Sequence, residues 1–225
     1  MVSTWLNGLT KGNVVVLAGY IGGRTTTVDK FAFPSDSRTT LATGVSAGQW
    51  APAAMANSGT AGYFGGGSAT TVNKFAFADD SRTTLATGLS AAVYGLAAMA
   101  NSGTAGYFGG GDTVSTVDKF AFPSDSRTTL GTGLSSARRG LAGMANSGTA
   151  GYFGGGDTGS KVTTVDKFAF ADDSRTTLGT GLSAATAFLA AMANSGTAGY
   201  FGGGVVGGAV TTVNKFAFAD DSRTT

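Results

Sequence analysis

Met55-Ala-Asn-Ser-Gly-Thr-Ala-Gly-Tyr-Phe-Gly-Gly-Gly67 recurs without a single change at Met99–Gly111, Met144–Gly156 and Met192–Gly204 of the 225-residue chain. A shorter relative, Ala-Gly-Tyr-Ile-Gly-Gly, stands at Ala18–Gly23. Each copy is followed by a short variable spacer, then Val-Asp/Asn-Lys-Phe-Ala-Phe, then Pro-Ser-Asp or Ala-Asp-Asp, then Ser-Arg-Thr-Thr. The glycine before the tyrosine falls at Gly19, Gly62, Gly106, Gly151 and Gly199, at intervals of 43, 44, 45 and 48 residues. A repeat of this length is one supersecondary unit that cannot bury its apolar surface alone and must stack on its neighbours.

The unit from Leu96 to Ser136 reads as four short strands. Leu96–Ala100 is small and apolar, and Asn101-Ser102-Gly103 is a turn, because Asn and Gly tolerate positive φ. Thr104–Phe108 is a second apolar run, stopped by Gly109-Gly110-Gly111. Thr116–Phe122 alternates, with Asp118, Phe120 and Phe122 on one face and Val117, Lys119 and Ala121 on the other, the period of a strand. Pro123–Ser126 is a turn and Arg127–Leu134 a fourth strand, so the unit predicts an antiparallel meander. Phenylalanines fill one side of such a sheet, while alanines and glycines leave hollows that large residues of the next sheet can fill. Radial stacking of these sheets is a β-propeller, and five markers predict five blades closed into a ring. A linear solenoid is the alternative. The expected architecture is one all-β domain over 1–225, with four-stranded antiparallel blades at about 3–45, 50–89, 94–134, 139–182 and 187–225.

The N-terminus departs from the pattern. Ser3–Thr10 aligns with Thr83–Ser90, which would make it the outer strand of the last blade. The rival is a hairpin, with Thr4–Leu9 as the inner strand of the first blade, a turn at Lys11-Gly12-Asn13, and Val14–Ile21 as its partner. Only four residues separate Leu9 from Val14, a short link for crossing three strand spacings of about 4.8 Å, which favours the hairpin. The fifth unit stops at Ser222-Arg223-Thr224-Thr225, so its outer strand is expected to be short, with an edge open to pairing.

Composition narrows the chemistry. The chain carries 42% hydrophobic and only 12% charged residues, a net charge of +2, 38 glycines, and no Cys or His; all 13 acidic residues are Asp. Glycine this frequent can signal disorder, but here it holds fixed repeat positions beside aromatics. Lack of Cys and His removes disulfides, thiol catalysis, most zinc sites and the commonest general base. No basic patch suggests nucleic acid. Met1–Gly12 lacks the apolar core of a signal peptide, and Val14–Leu17 is too short for a signal or a membrane span. The expectation is a soluble protein without membrane insertion or a standard export signal.

Four recurrent features invite a chemical reading. Asp-Ser-Arg recurs as Asp36/Arg38, Asp80/Arg82, Asp125/Arg127, Asp173/Arg175 and Asp221/Arg223, and is read as a turn whose Asp caps amides while Arg pairs with it or with a neighbouring blade. The repeat lysines Lys30, Lys74, Lys119, Lys167 and Lys215 are read as structural or solvated. The adjacent pairs Asp79-Asp80, Asp172-Asp173 and Asp220-Asp221 supply too few oxygens for calcium and do not flank a substrate as catalytic carboxylates must. The triple glycines are not phosphate loops, since neither a Lys-Ser/Thr pair nor a helix follows. No catalytic residue, metal ligand or cofactor is expected.

The informative positions are those that differ between otherwise identical repeats. Five residues before each repeat Met stand Trp50, Tyr94, Arg139 and Ala187, with Gln49, Val93, Arg138 and Phe188 beside them. A second variable stretch follows the glycines: Arg24, Ser68–Thr70, Asp112–Ser115, Asp157–Lys161 and Val205–Val210. In a four-stranded meander the two variable links share one rim, and the Asn-Ser-Gly and Asp-Ser-Arg turns share the other. Diversified loops on a rigid scaffold suit recognition. The candidate contact residues are Arg24, Gln49, Trp50, Tyr94, Asp112, Arg138, Arg139, Asp157, Lys161 and Phe188.

The segment from Arg138 to Leu182 resembles a kelch repeat: Gly154-Gly155 match the glycine pair ending the second strand and Phe170 the aromatic of the third, while Arg175-Thr176-Thr177-Leu178 stands where kelch has Trp. The resemblance implies a propeller over almost the whole chain, and no particular function. Near-identical Ala-Gly-Tyr-Phe-Gly-Gly units also look like recently amplified propeller repeats of bacteriophage and bacterial genomes. That likeness implies a non-enzymatic virion surface or fibre component, touching a host glycan, a host protein or a neighbouring virion subunit, with self-assembly as a further option. The alternatives are a cytoplasmic kelch-like adaptor for a protein partner and a glycan-active enzyme on a propeller scaffold.

Overall fold

The structure, a computed structural model, describes residues 2–4, 18–22, 25–33, 35–112 and 114–225, the first three by their backbone. The described residues are all-β: they form five four-stranded antiparallel sheets in a β-propeller arrangement, each a simple meander. Blade one comprises β1 (Val2–Thr4), β2 (Ala18–Gly22), β3 (Val28–Ala32) and β4 (Ser37–Thr40). Blade two has β5 (Pro52–Asn57), β6 (Ala61–Gly66), β7 (Val72–Ala76) and β8 (Arg82–Thr84). Blade three has β9 (Ala97–Asn101), β10 (Ala105–Gly109), β11 (Val117–Ala121) and β12 (Ser126–Thr129). Blade four has β13 (Ala142–Asn146), β14 (Ala150–Gly154), β15 (Val165–Ala169) and β16 (Arg175–Thr177). Blade five has β17 (Ala190–Asn194), β18 (Ala198–Gly202), β19 (Val213–Ala217) and β20 (Arg223–Thr224).

Two strand expectations change. The fourth strand ends at Thr129 instead of running to Leu134. Beyond it the chain folds back on β11, with Leu130 N donating to Val117 O at 2.9 Å and Leu134 N to Ser115 O at 2.6 Å. Gly133 permits this approach, since a Cβ there would lie 2.2 Å from Ser115 O. At the N-terminus the inner-strand reading holds for blade one, but the strand comes earlier: Val2–Thr4 pairs with β2, Ser3 opposite Ile21. The expected turn at Lys11-Gly12-Asn13 and the strand through Val14 lie outside the described residues.

The strand register sorts side chains into two faces. In blade three Tyr107 sits opposite Met99 and Lys119, while Gly106 sits opposite Ala100 and Phe120. Because alternate residues share a face, Met99, Tyr107, Val117 and Lys119 point forward to blade four, and Phe108, Phe120 and Phe122 point back to blade two. Phe108, Phe120 and Phe122 accordingly share a buried cluster with Met55, Tyr63, Val72 and Leu89 of blade two. The faces interlock through glycine. Phe108 fills the hollow at Gly65, where a Cβ would lie 2.9 Å from the ring, and Met55 fills that at Gly106, 2.1 Å from its Sδ. The same pairs recur as Phe153–Gly109 with Met99–Gly151, and as Phe201–Gly154 with Met144–Gly199. Tyr63 stacks on Phe122, Tyr107 on Phe170 and Tyr152 on Phe218 at ring distances of 5.2–5.4 Å.

The junction after blade five differs. Met192 is 60% exposed, against 2–4% for Met55, Met99 and Met144, and Val213 is 49% exposed where Val72, Val117 and Val165 are at 0%. Among the described residues, nothing covers the forward face of blade five as a next blade covers the other four.

Phe120→Ala is expected to cost about 3–5 kcal/mol in denaturant melts; a loss under about 1 kcal/mol would place Phe120 outside the interlock. In dilute solution Gly154→Ala, which drives a Cβ into the Phe201 ring, should cost about 1–3 kcal/mol. Gly202→Ala, at the open face, should stay within about 0.5 kcal/mol of the parent.

Candidate functional site

The Asn-Ser-Gly turns close the uniform rim with side chains. Asn57, Asn101 and Asn146 each accept, through Oδ1, the amide of the next blade's turn glycine at 2.7–2.8 Å. Ser102, Ser147 and Ser195 each accept the preceding blade's turn-serine amide on Oγ at 3.0 Å.

The Asp-Ser-Arg turns do the same. Asp80, Asp125, Asp173 and Asp221 sit at φ 54–60°, a left-handed conformation that Asp adopts more readily than most residues. There each carboxylate accepts two donors from the preceding blade. Tyr63 hydroxyl donates to Asp125 at 2.8 Å and Lys74 Nζ at 2.7 Å. Tyr107 and Lys119 meet Asp173 at 2.8 and 2.7 Å, and Tyr152 and Lys167 meet Asp221 at 2.7 and 2.6 Å. Tyr20 and Lys30 meet Asp80 in the same way. The repeat lysines therefore serve as inter-blade partners at these four junctions. The arginine of the motif, expected to pair with the turn or a neighbour, takes several partners: Arg82 donates to Gly44 O of blade one at 2.8 Å, and Arg175 Nη1 lies 3.5 Å from Asp166 of its own blade. The first residues of the Asp pairs, Asp79, Asp172 and Asp220, cap Ser81, Ser174 and Ser222 amides at 3.0 Å, and the hydroxyls of these serines first, then their amides, lower the carboxyl pKa.

The variable rim is joined differently. Gly95 N donates to Ala51 O, Gly140 N to Gly95 O and Phe188 N to Gly140 O, a chain of backbone bonds at 2.6–3.2 Å around the mouth of the central channel. Outside it, Ser68 N donates to Val93 O, Gly111 N to Arg138 O and Gly156 N to Thr186 O, at 2.9–3.0 Å. These bonds bring the two variable links onto one rim and run from backbone to backbone, so they constrain side-chain identity little.

The candidate residues separate by burial. Arg138 and Gln49 are interior, which corrects their placement on a contact surface. Arg138, at 0% exposure, pairs with Asp166 at 2.9 Å and donates to Phe153 O. Burial lowers the Arg138 pKa against the opposing charge of Asp166. Burial pushes Asp166 upward, but bonds from Thr177 and Ser135 and the Arg138 charge bring it below its ordinary value. Gln49 donates to Gly66 O at 3.0 Å. Trp50 is 50% and Phe188 61% exposed. Arg139 joins Tyr94, by a 2.9 Å hydrogen bond and a 5.9 Å cation–π contact, to Asp112, whose bond raises the Arg139 pKa. Asp157 accepts the Gly159 amide at 2.8 Å and faces Lys161 across an isolated bridge. Arg24 lies outside the described residues.

Backbone conformation on this rim was not readable from residue differences alone. Phe188 occupies the position held by Ala51, Gly95 and Gly140, all at positive φ, and itself takes φ 57°. Its ring lies over Gly140, 2.9 Å from where a Cβ would stand. The recurrence of glycine at two of these four positions was the available signal.

The inner strands of blades two to five enclose a cavity of about 410 Å³ lined by Ala54, Ala98, Gly143, Ala191 and the turn serines, with no ionisable group among the described lining. No family model matches the chain, and no curated protein matches it.

The four paired tyrosines have pKa values raised well above their ordinary value near 10, by burial first and then by the hydrogen-bonded carboxylate. Their contribution to stability is full below the unfolded-state value and is lost as pH rises, because the unfolded chain ionises first. The denaturation midpoint should therefore fall above about pH 10, and replacing Tyr63, Tyr107 and Tyr152 by Phe should make that fall shallower. An unchanged slope would contradict the assignment.

Proposed function

We propose that the chain is a non-enzymatic recognition module whose variable rim makes the contact, on the surface of a virion, with a glycan or protein of a host cell or with a neighbouring virion subunit. The observation that carries this reading is the difference between the rims. On the uniform rim Asn, Ser, Asp, Tyr and Lys side chains join blade to blade, so their identities are constrained. On the variable rim the links meet through backbone atoms and through Ser-to-Asp or Ser-to-Asn bonds common to the repeats, while Trp50, Tyr94, Arg139 and Phe188 stand at positions that change from blade to blade.

The residue types support the same reading. Trp, Tyr and Arg dominate binding energy at interfaces, since they bury large areas or make directed polar contacts. Phe188 adds backbone strain: a bulky residue in the left-handed region costs about 1–3 kcal/mol, at a place where its ring is exposed rather than packed in the core. The virion setting rests on the likeness to amplified phage and bacterial repeats.

The triple variant Trp50→Ala/Tyr94→Ala/Arg139→Ala should keep Tm within about 4 °C of the parent. It should lose at least about tenfold in retention on intact bacterial cells or on immobilised oligosaccharides. Retention unchanged by the triple variant but lost on replacing Asp79 and Asp172 would move the contact to the uniform rim.

A further inference from the structure

Behind the exposed residues of the variable rim lies a row of buried ones. Gln49 of blade two, Val93 of blade three and Arg138 of blade four stand six residues before their repeat Met, and all three are interior. The second residue of each third strand, Asn73, Asp118 and Asp166, is buried as well. In blade four the two positions meet: Arg138 Nη1 lies 2.9 Å from Asp166 Oδ2, and both side chains are wholly enclosed. Blade two carries a shorter, uncharged residue at the first position and a neutral amide at the second.

Backbone and side-chain partners fix how both amides of blade two are turned. Gln49 Nε2 donates to Gly66 O at 3.0 Å, which leaves Oε1 as the remaining acceptor. Asn73 Oδ1 accepts the Ser46 amide at 3.1 Å and the Thr84 hydroxyl at 3.3 Å, which leaves Nδ2 as the remaining donor. Gln49 Oε1 and Asn73 Nδ2 are buried and have no hydrogen-bond partner among the described residues. A buried donor or acceptor left unsatisfied keeps its full desolvation cost, and here one of each belongs to the slot that Arg138 and Asp166 close directly. Blade three shows the room that a shorter residue leaves. With Val93 in the place of Arg138, a cavity of about 10 Å³ is lined by Val93, Ser90, Phe108, Thr116 and Asp118. That is about the least space that admits one water.

We propose that the slot of blade two is a binding site for one water molecule, which accepts from Asn73 Nδ2 and donates to Gln49 Oε1. Water suits this pair because it is donor and acceptor at once. The Asn73 N–H repels a metal cation, and the Gln49 carbonyl oxygen repels an anion. A bridging water is enthalpically nearly as good as a direct hydrogen bond, so it replaces the guanidinium of blade four as the joint between link and third strand. The joint holds the link from inside the blade, while the adjacent Trp50 is half exposed on the rim.

A crystal structure of the whole chain at a resolution that shows ordered water tests this. One density peak is expected within about 2.7–3.2 Å of both Asn73 Nδ2 and Gln49 Oε1. The double variant Gln49→Arg/Asn73→Asp transplants the pair of blade four and should lose that peak, with the introduced guanidinium bonded to the introduced carboxylate. A solution measurement on the unaltered chain covers the case in which the variant does not fold. The side-chain amide protons of Asn73 should show nuclear Overhauser cross-relaxation with water, of the sign that a long-lived bound molecule gives. Asn73 Nδ2 bonded directly to Gln49 Oε1, a parent chain with neither peak nor cross-relaxation, or a peak that persists beside the transplanted ion pair would each overturn the proposal.

Discussion

Each blade lacks side chains where its neighbour has an excess, and the rest of the structure depends on that reciprocity. A Phe ring of one sheet occupies the space over a glycine of the sheet before it, and a Met of the earlier sheet occupies the space over a glycine of the later one. Both contacts are short: a Cβ at Gly109 would lie 2.7 Å from Phe153, and one at Gly151 would lie 2.0 Å from Met99 Sδ. Packing at this separation leaves no room for an added methyl without movement of a buried ring or thioether. A high glycine content, usually a sign of an unpacked chain, here marks the positions at which two sheets come closest.

On this base the polar latches act as registration. Tyrosine and lysine lie opposite one another across a strand pair, and both reach the same carboxylate of the next blade. That carboxylate must come from a residue able to take a left-handed conformation, which explains why Asp recurs at the end of every Pro-Ser-Asp and Ala-Asp-Asp turn. The Asn and Ser of the tighter turns extend the latch to the channel side. One rim is uniform because its side chains are shared with the neighbouring blade. The other varies at its outermost positions, where the links meet through backbone atoms, while the Ser-to-Asp or Ser-to-Asn bonds behind them are common to the repeats.

Much of this was legible in the chain. The repeat interval showed five units, the alternation through Val117–Phe122 showed the strand phase, and large-against-small packing followed from Phe facing Gly. The structural role of Asp-Ser-Arg was legible as well, though not the identity of its partners: Tyr107 and Asp173 are 66 residues apart, and only the stacking of sheets brings them together. Gln49 and Arg138 could not be separated from Trp50 and Arg139 by residue type, because adjacent positions in a link that turns between two sheets point alternately inward and outward. The left-handed position of Phe188 was hidden because sequence difference alone says nothing about φ. The bare face of blade five was equally hidden, since its residues match those of the covered blades.

The central claim is that Phe–Gly complementarity between successive blades is a direct energetic coupling. A double-mutant cycle with Gly109→Ala and Phe153→Leu measures it most directly, by equilibrium unfolding of the parent, both single variants and the pair. Relief of the clash by the smaller side chain should make the pair more stable than the sum of the single losses by about 1 kcal/mol or more, within the range seen for residues in contact. Single losses that add to within about 0.3 kcal/mol would mean that the two positions do not share the space described, and would contradict the account.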